Sequence, residues 1–225
     1  MRLLSAFLLA VAACGLNTAP AFASPEAPKA GVEYTTLETA QPTRAAPGKI
    51  EVIEFFSYAC PHCRAFDPVL AAWVKKNEAD VTFRRVHVAF NAGEAPLQRM
   101  YTTFEAMGLA DKLHSPAFAA LHEEHLRLAS APAIVDWVAR NGVDRARFEA
   151  TYNSFGMPSR VAAAQASLTG FRVDHWPSIG IDGRFYTSPS KVATAMGTKM
   201  SPEAQYQVGL QVMDFLVAKA KAEKK

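Results

Sequence analysis

A short apolar run, a pair of cysteines and an amphipathic run follow one another without a break between Ile50 and Asn77. Ile50-Glu51-Val52-Ile53-Glu54-Phe55-Phe56 has the length and the branched and aromatic side chains of a buried strand. Downstream, Phe66, Val69, Leu70, Trp73 and Val74 recur at helical spacing, which predicts a helix from Cys63 to about Asn77 with Pro68 kinking it. Cys60-Pro61-His62-Cys63 therefore falls where a strand ends and a helix begins. The first N–H groups of a helix lack partners within it, and the helix dipole adds partial positive charge there. A thiolate at that place is stabilised, so Cys60 is expected to ionise more readily than a free cysteine. Pro61 suits the first turn, where a missing N–H costs little. It leaves the N–H groups of His62 and Cys63 as donors toward sulfur. His62, protonated or donating a hydrogen bond, favours the Cys60 thiolate further.

The cysteine count narrows the use of this pair. Residues 1–23 read as a secretory signal peptide: Arg2, an apolar stretch from Leu3 to Ala13, and the small-x-small site Ala21-Phe22-Ala23 ahead of Ser24. This implies export to the periplasm of a bacterial-type cell. Val11-Ala12-Ala13-Cys14 supports a competing reading, a lipobox whose Cys14 would anchor the chain to a membrane. The early position of Cys14 and the normal spacing of Ala-x-Ala favour cleavage after Ala23. Only Cys60 and Cys63 then remain. A disulfide between them closes too short a loop to stabilise a fold much. A zinc site needs about four ligands; His62 lies between the cysteines rather than at ligand spacing, and there is no second Cys-x-x-Cys. No metal and no cofactor are expected, and the pair is read as present for its own chemistry.

Half of the 225 residues are hydrophobic, enough for one or two domains with a proper core. The net charge of +3 is too small to argue for nucleic acid, and the basic Lys219–Lys225 tail reads as a solubilised helix end. Val32 to Leu37 and Val81 to Val88 read as further strands, giving strand, helix, strand. From Asn91 to Phe171 the pattern is helical. Leu97, Met100, Tyr101, Phe104 and Met107 form a stripe ended by Gly108. Ser115-Pro116 starts another helix, Ser130 to Asn141 makes a third, Asp144 caps a fourth and Ser159 to Leu168 makes a fifth. Ser178–Ile181 and Arg184–Tyr186 read as a hairpin around Asp182-Gly183, and Ser201-Pro202 opens a last helix. His122-Glu123-Glu124-His125 places its histidines at i and i+3, not at metalloprotease spacing, and is read as a solvated helix face.

The segment Glu54-Phe55-Phe56-Ser57-Tyr58-Ala59-Cys60-Pro61-His62-Cys63 resembles the active-site segment of the DsbA-type thiol:disulfide oxidoreductases, a branch of the thioredoxin-like fold. Arg85-Val86-His87-Val88-Ala89-Phe90 resembles the family's third strand, and Trp176-Pro177 lies where the family has its cis-proline. The resemblance implies an α/β fold, a thioredoxin-like mixed central sheet with an inserted helical subdomain. Its parts would be residues 24–90 and 172–225 for the thioredoxin-like domain and 91–171 for the insertion. It implies Cys60 as the exposed nucleophile and Cys63 as the buried resolving cysteine. It implies that Glu54 pairs with Arg85 beneath the disulfide and helps move protons to or from Cys63, although lysine is usual at the Arg85 position. It places the Trp176 backbone and Pro177 against the disulfide to pair with a substrate strand. Trp176 departs from the family, where a small or β-branched residue is usual. His175, just before it, is read as a loop histidine that could add a second titrating group.

The function expected is a monomeric periplasmic enzyme donating its disulfide to unfolded, cysteine-containing exported proteins. A membrane quinone-linked oxidase of the DsbB type would reoxidise it. Two rivals remain: the same chemistry run as a reductase or isomerase, and a non-catalytic redox sensor or chaperone-like binder.

Overall fold

The computed structural model describes residues 27–224, so the signal-peptide and Cys14 readings lie outside the described residues. The sheet has five strands: β1 (Tyr34–Thr36), β2 (Ile50–Phe56), β3 (Val81–His87), β4 (Ser178–Ile181) and β5 (Phe185–Thr187). Their order is β1-β5-β4-β2-β3. β2 and β3 run parallel, joined by helix α1 (Pro61–Lys76); the other pairings are antiparallel. Five helices separate β3 from β4: α2 (Ala95–Met107), α3 (Ala110–His122), α4 (Ala131–Arg140), α5 (Arg145–Tyr152) and α6 (Met157–Phe171). Two more, α7 (Pro189–Ala195) and α8 (Pro202–Glu223), complete the described chain. The sheet is mixed and the fold is thioredoxin-like α/β with an inserted helical subdomain.

β2 is buried at every residue, and its period-2 alternation divides the core. Ile50 and Val52 face a cluster with Phe66, Leu70 and Trp73 of α1 and Tyr206, Leu210 and Met213 of α8. Ile53 and Phe55 face Leu168 and Phe171 of α6 on the other side. Phe56, at the end of β2, enters a third cluster with Met100, Phe104, Leu113, Phe118, Ile134 and Trp137 from the inserted helices. Cys60 and Cys63 belong to that third cluster, so the pair sits where sheet and helical insertion meet.

Local signals set most element ends. Ser130, Asp144 and Ser201 each accept a backbone N–H as helix N-caps, and Gly108 ends α2 in the left-handed region at φ 68°. Asp182 and Gly183 both have positive φ, as a type I′ hairpin turn requires. Two expectations need correcting, and one helix is additional. The first helix starts at Pro61, two residues before Cys63, because Cys60 itself caps it. Ser115-Pro116 does not open a helix; α3 begins at Ala110 and runs through Pro116. Helix α7 was not foreseen, although Ser188-Pro189 is a cap followed by proline at N1. Pro68 lies inside α1, which continues through it.

The sheet and the insertion are locked together at Gly180. A Cβ built there would lie 2.4 Å from the Phe171 ring, which packs on Phe55 with centroids 5.2 Å apart. Gly180→Ala is therefore expected to lower stability by about 1–3 kcal/mol. A lower urea midpoint with an unchanged m-value is the expected readout; a wild-type midpoint would show that Phe171 yields freely.

Candidate active site

The chain leaves β2 at Phe56 and turns through Ser57-Tyr58-Ala59, with the Cys60 N–H donating to the Ser57 carbonyl at 3.1 Å. Cys60 has extended backbone angles and is the N-cap of α1, its Sγ accepting the Cys63 N–H at 3.4 Å. Sulfur here takes the place that a serine or aspartate oxygen fills in other caps. Pro61 and His62 occupy the exposed first turn. Cys60 lies at the rim with 9% of its surface exposed, whereas Cys63, one turn inward, has none. Both are present as thiols.

The two sulfurs differ in acidity for identifiable reasons. The Cys63 thiol hydrogen bond lowers the Cys60 pKa most; partial burial opposes this, and the backbone N–H groups of Cys63 and His62 and the His62 charge add to the lowering. The result is about 6, against an ordinary value of 9.0. Burial pushes Cys63 well above the ordinary value, and the neighbouring Cys60 and Glu54 push it the same way.

Opposite the pair, the Trp176–Pro177 peptide bond is cis, and the Trp176 carbonyl oxygen lies 3.9 Å from Cys60 Sγ. The Trp176 indole packs against both the helical cluster and the sheet cluster. It stacks nearly parallel on Phe90, at 4.5 Å and 13°, and Phe90 is half exposed. An aromatic shelf is thus built on the residue whose carbonyl faces the reactive sulfur. His175 turns away from it, toward Asp174 and Ser188.

Beneath the pair lies a buried polar network. Glu54 and Arg85 are directly opposed in the β2–β3 register, and Arg85 Nε donates to Glu54 at 2.9 Å. The same guanidinium donates to Asp67 of α1 at 2.8 Å. Burial raises Glu54 to about 7 against the pull of Arg85. Burial also opposes the Asp67 charge, but the His114 hydrogen bond and the Arg85 guanidinium outweigh it and hold that carboxyl below its usual value. His114 of α3 lies 3.0 Å from Asp67 through Nε2 and 3.1 Å from the Tyr58 hydroxyl through Nδ1. Asp67 can only accept, so Nε2 carries the proton and Tyr58 donates to Nδ1. Burial depresses His114, which keeps the ring neutral. Glu54, Asp67 and His114 lie close enough together to suggest a metal site, but Arg85 already supplies the cation between the two carboxyls.

Asp67, His114 and Tyr58 were missed in the sequence. A signal existed for Asp67, an acid in the Cys63-Phe66-Leu70-Trp73 stripe of α1, four residues after Cys63. None existed for His114, whose partners are distant in the chain. The solvated-face reading of His122 is corrected: it is part-buried, and its Nε2 donates to the Tyr58 carbonyl at 2.8 Å, while Glu123 pairs with Arg64. Among the described residues no helix is long and apolar enough to cross a membrane.

Comparison with known proteins agrees with this architecture. A family model for the DSBA-like thioredoxin domain matches residues 51–208. The thiol:disulfide interchange protein DsbA of Burkholderia cepacia is 35% identical over 223 residues, covering 99% of both chains. The crystal structure of Pseudomonas aeruginosa DsbA superposes with a TM-score of 0.77 at 34% identity, covering 88% of this chain and 97% of that one. A Proteus mirabilis DsbA solved with the non-covalently bound peptide PWATCDS gives 0.67 at 27% identity, covering 84% and 98%. With a Cys-Pro-His-Cys pair capping α1 of a thioredoxin-like fold, the chain belongs to the DsbA-like thioredoxin-domain family and is a protein dithiol:disulfide oxidoreductase.

Proposed function

We propose that the protein acts in the periplasm as a disulfide donor, passing its Cys60–Cys63 disulfide to folding exported proteins. A substrate thiolate attacks Cys60 Sγ, the Cys60–Cys63 bond breaks, and Cys63 leaves and takes up a proton. A second substrate thiolate then attacks the substrate sulfur held on Cys60. The substrate disulfide forms and Cys60 leaves as a thiolate. The substrate loses two electrons and the protein gains them; a membrane quinone-linked oxidase of the DsbB type would take them up again.

The observation that carries this reading is the asymmetry of the two sulfurs. A leaving group with a pKa of about 6 departs readily at neutral pH, and a buried thiol pushed upward takes up a proton. The sign of the effect on the couple follows from linkage. The folded pKa of Cys60 lies below its ordinary value of 9.0, so the reduced form gains stability that is complete above pH 9 and is lost as pH falls through 6. At neutral pH the lowered pKa therefore stabilises the reduced form and makes the couple a stronger oxidant. Glu54, poised near 7 in the network below, is positioned to exchange the Cys63 proton, with Arg85 holding its carboxylate form. The Trp176 carbonyl and the Trp176–Phe90 shelf would take a substrate strand beside Cys60; the cysteine-containing peptide bound by the Proteus relative supports this side of the reading. Cleavage after Ala23 would leave the protein free in the periplasm; acylation of Cys14 would tether it there.

Oxidised protein mixed with a reduced, unfolded dithiol protein should give stoichiometric substrate disulfide. Cys63→Ser, which has no disulfide of its own to donate, should instead form a lasting mixed disulfide through its Cys60 thiolate when mixed with a substrate whose cysteines are joined in a disulfide, releasing one substrate thiol. Trapping elsewhere would overturn the assignment, and net reduction of substrate disulfides would favour the reductase rival. Thiolate absorbance should rise with a midpoint near pH 6 for the first sulfur, and the stability gap between reduced and oxidised protein should narrow as pH falls through that midpoint; a single transition near 9 would remove the basis for a donor. Glu54→Gln should erase any inflection near pH 7 in the rate of Cys63 protonation and lower the Cys63 pKa. An unchanged profile would exclude Glu54 from proton transfer.

A further inference from the structure

Residues 172–177 belong to no helix or strand, yet the Trp176 carbonyl must be held beside Cys60 if a substrate chain is to pair there. The side chains behind this loop form a connected set. His175 Nδ1 lies 2.5 Å from Asp174 Oδ1, and its Nε2 lies 2.6 Å from Ser188 Oγ. The Ser178 hydroxyl donates to the His175 carbonyl at 2.5 Å. With that hydrogen committed, the Tyr186 hydroxyl, 2.9 Å away, donates to Ser178; it also lies 3.3 Å from Asp174. Backbone and side chain of His175 are therefore both tied, the first to the start of β4 and the second to the start of α7.

Aspartate, histidine and serine in this order are the components of a hydrolytic triad. Ser188 is fully buried, however, and its oxygen caps α7 by accepting the Lys191 N–H at 3.0 Å. No substrate carbonyl can reach it, so the chemistry left to the trio is positioning. Asp174 only accepts, so it fixes the proton on Nδ1. Neutral His175 then accepts the Ser188 hydroxyl through Nε2. A protonated ring would donate to the same oxygen, whose hydrogen can turn to Ser190 Oγ at 3.1 Å. The tie therefore survives either charge state of the ring. The two contacts are unequal. Asp174 is largely exposed and its pairing contributes little, whereas losing the His175 contact leaves a buried hydroxyl without that partner.

What Ser188 is attached to gives the tie its direction. Helix α7 packs closely on α8, where a Cβ on Gly209 would lie 3.1 Å from Pro189 Cα. Helix α8 in turn reaches the cysteine side, Tyr206 donating its hydroxyl to the His62 carbonyl at 3.3 Å. One scaffold, α7 with α8, thus touches both walls of the cleft: the Cys60–Cys63 turn through Tyr206 and the Trp176 loop through Ser188.

We propose that His175 is a positioning residue: tied to Ser188, it fixes the Trp176 carbonyl at the distance from Cys60 that a substrate chain requires, and so sets substrate affinity without acting on either sulfur. This rests on the reading that substrates pair with the Trp176 backbone. The test is steady-state oxidation of a two-cysteine peptide, with excess glutathione disulfide reoxidising the Cys60–Cys63 pair, by wild type, His175→Ala, Ser188→Ala, the double variant and His175→Gln, with the Cys60 titration measured alongside. Either alanine change should raise KM about three- to tenfold with kcat within twofold and the Cys60 titration unmoved. The double variant should be no worse than the worse single, and His175→Gln, which can still reach Ser188, should recover most of the loss. An unchanged KM in His175→Ala, or independent multiplying losses in the double variant, would overturn the proposal. If Ser188→Ala fails to fold for want of its helix cap, His175→Ala and His175→Gln decide the matter alone. A wild-type protein that does not oxidise the peptide would sink the donor reading itself, and the inference with it.

Discussion

The hydrogen bond from the Cys63 N–H to Cys60 Sγ joins the fold to the chemistry. Helix α1 needs an acceptor at its first turn, and the reactive sulfur is that acceptor. The bond fixes where the helix starts, and the start fixes which residues point inward. With Cys60 at the cap, Cys63 falls at the third helical position and turns into the core, followed at helical spacing by Phe66, Leu70 and Trp73. One rim sulfur and one buried sulfur follow from a single local interaction. Their acidities diverge because one is met by the Cys63 thiol and helix N–H groups and the other is buried among apolar side chains.

The charges below the pair are costly features that packing alone does not call for. β2 is buried throughout yet carries Glu51 and Glu54, on opposite faces because they are three residues apart. β3 answers with Arg84 and Arg85, adjacent and so also on opposite faces, each pairing with one glutamate. Glu51–Arg84 serves the side away from the cysteines, where the Glu51 carboxylate also accepts the Arg44 N–H. Glu54–Arg85 extends through Asp67 and His114 to Tyr58, under the turn that carries Cys60. Buried ion pairs of this kind rarely improve on apolar packing. Their position beneath the cysteine pair is what supports the proton-transfer role proposed for Glu54.

Much of this was legible in the sequence because it is local. The apolar run at Ile50–Phe56, the caps at Ser130, Asp144 and Ser201, and the Asp182-Gly183 turn each declare themselves within a few residues. So does the cysteine pair at a helix start. What was hidden depends on residues brought together from far apart. Asp67 and His114 are 47 positions apart, and Tyr58 and His122 are 64 apart. Neither histidine has a neighbour in sequence that reveals its partner. Helix α7 escaped notice because its seven residues are too few to show an amphipathic period, although Ser188-Pro189 marked its start. Ser115-Pro116 misled for the converse reason: the dipeptide is a good helix opening, but α3 had already begun and its tertiary packing outweighed the lost N–H.

Pro61 and His62 have a further consequence. They stand between the two sulfurs, both exposed, and belong to none of the three core clusters. Their side chains act on sulfur charge, through the donor that proline removes and the charge that histidine adds, while the packing that holds the molecule together lies elsewhere. In the proposed donor, an exchange at either position would act on the stability of the reduced form through the sulfur charge, while the core packing shared by both redox forms lies outside its reach. This dipeptide is thus a place where the two redox forms can be shifted against each other without repacking the frame.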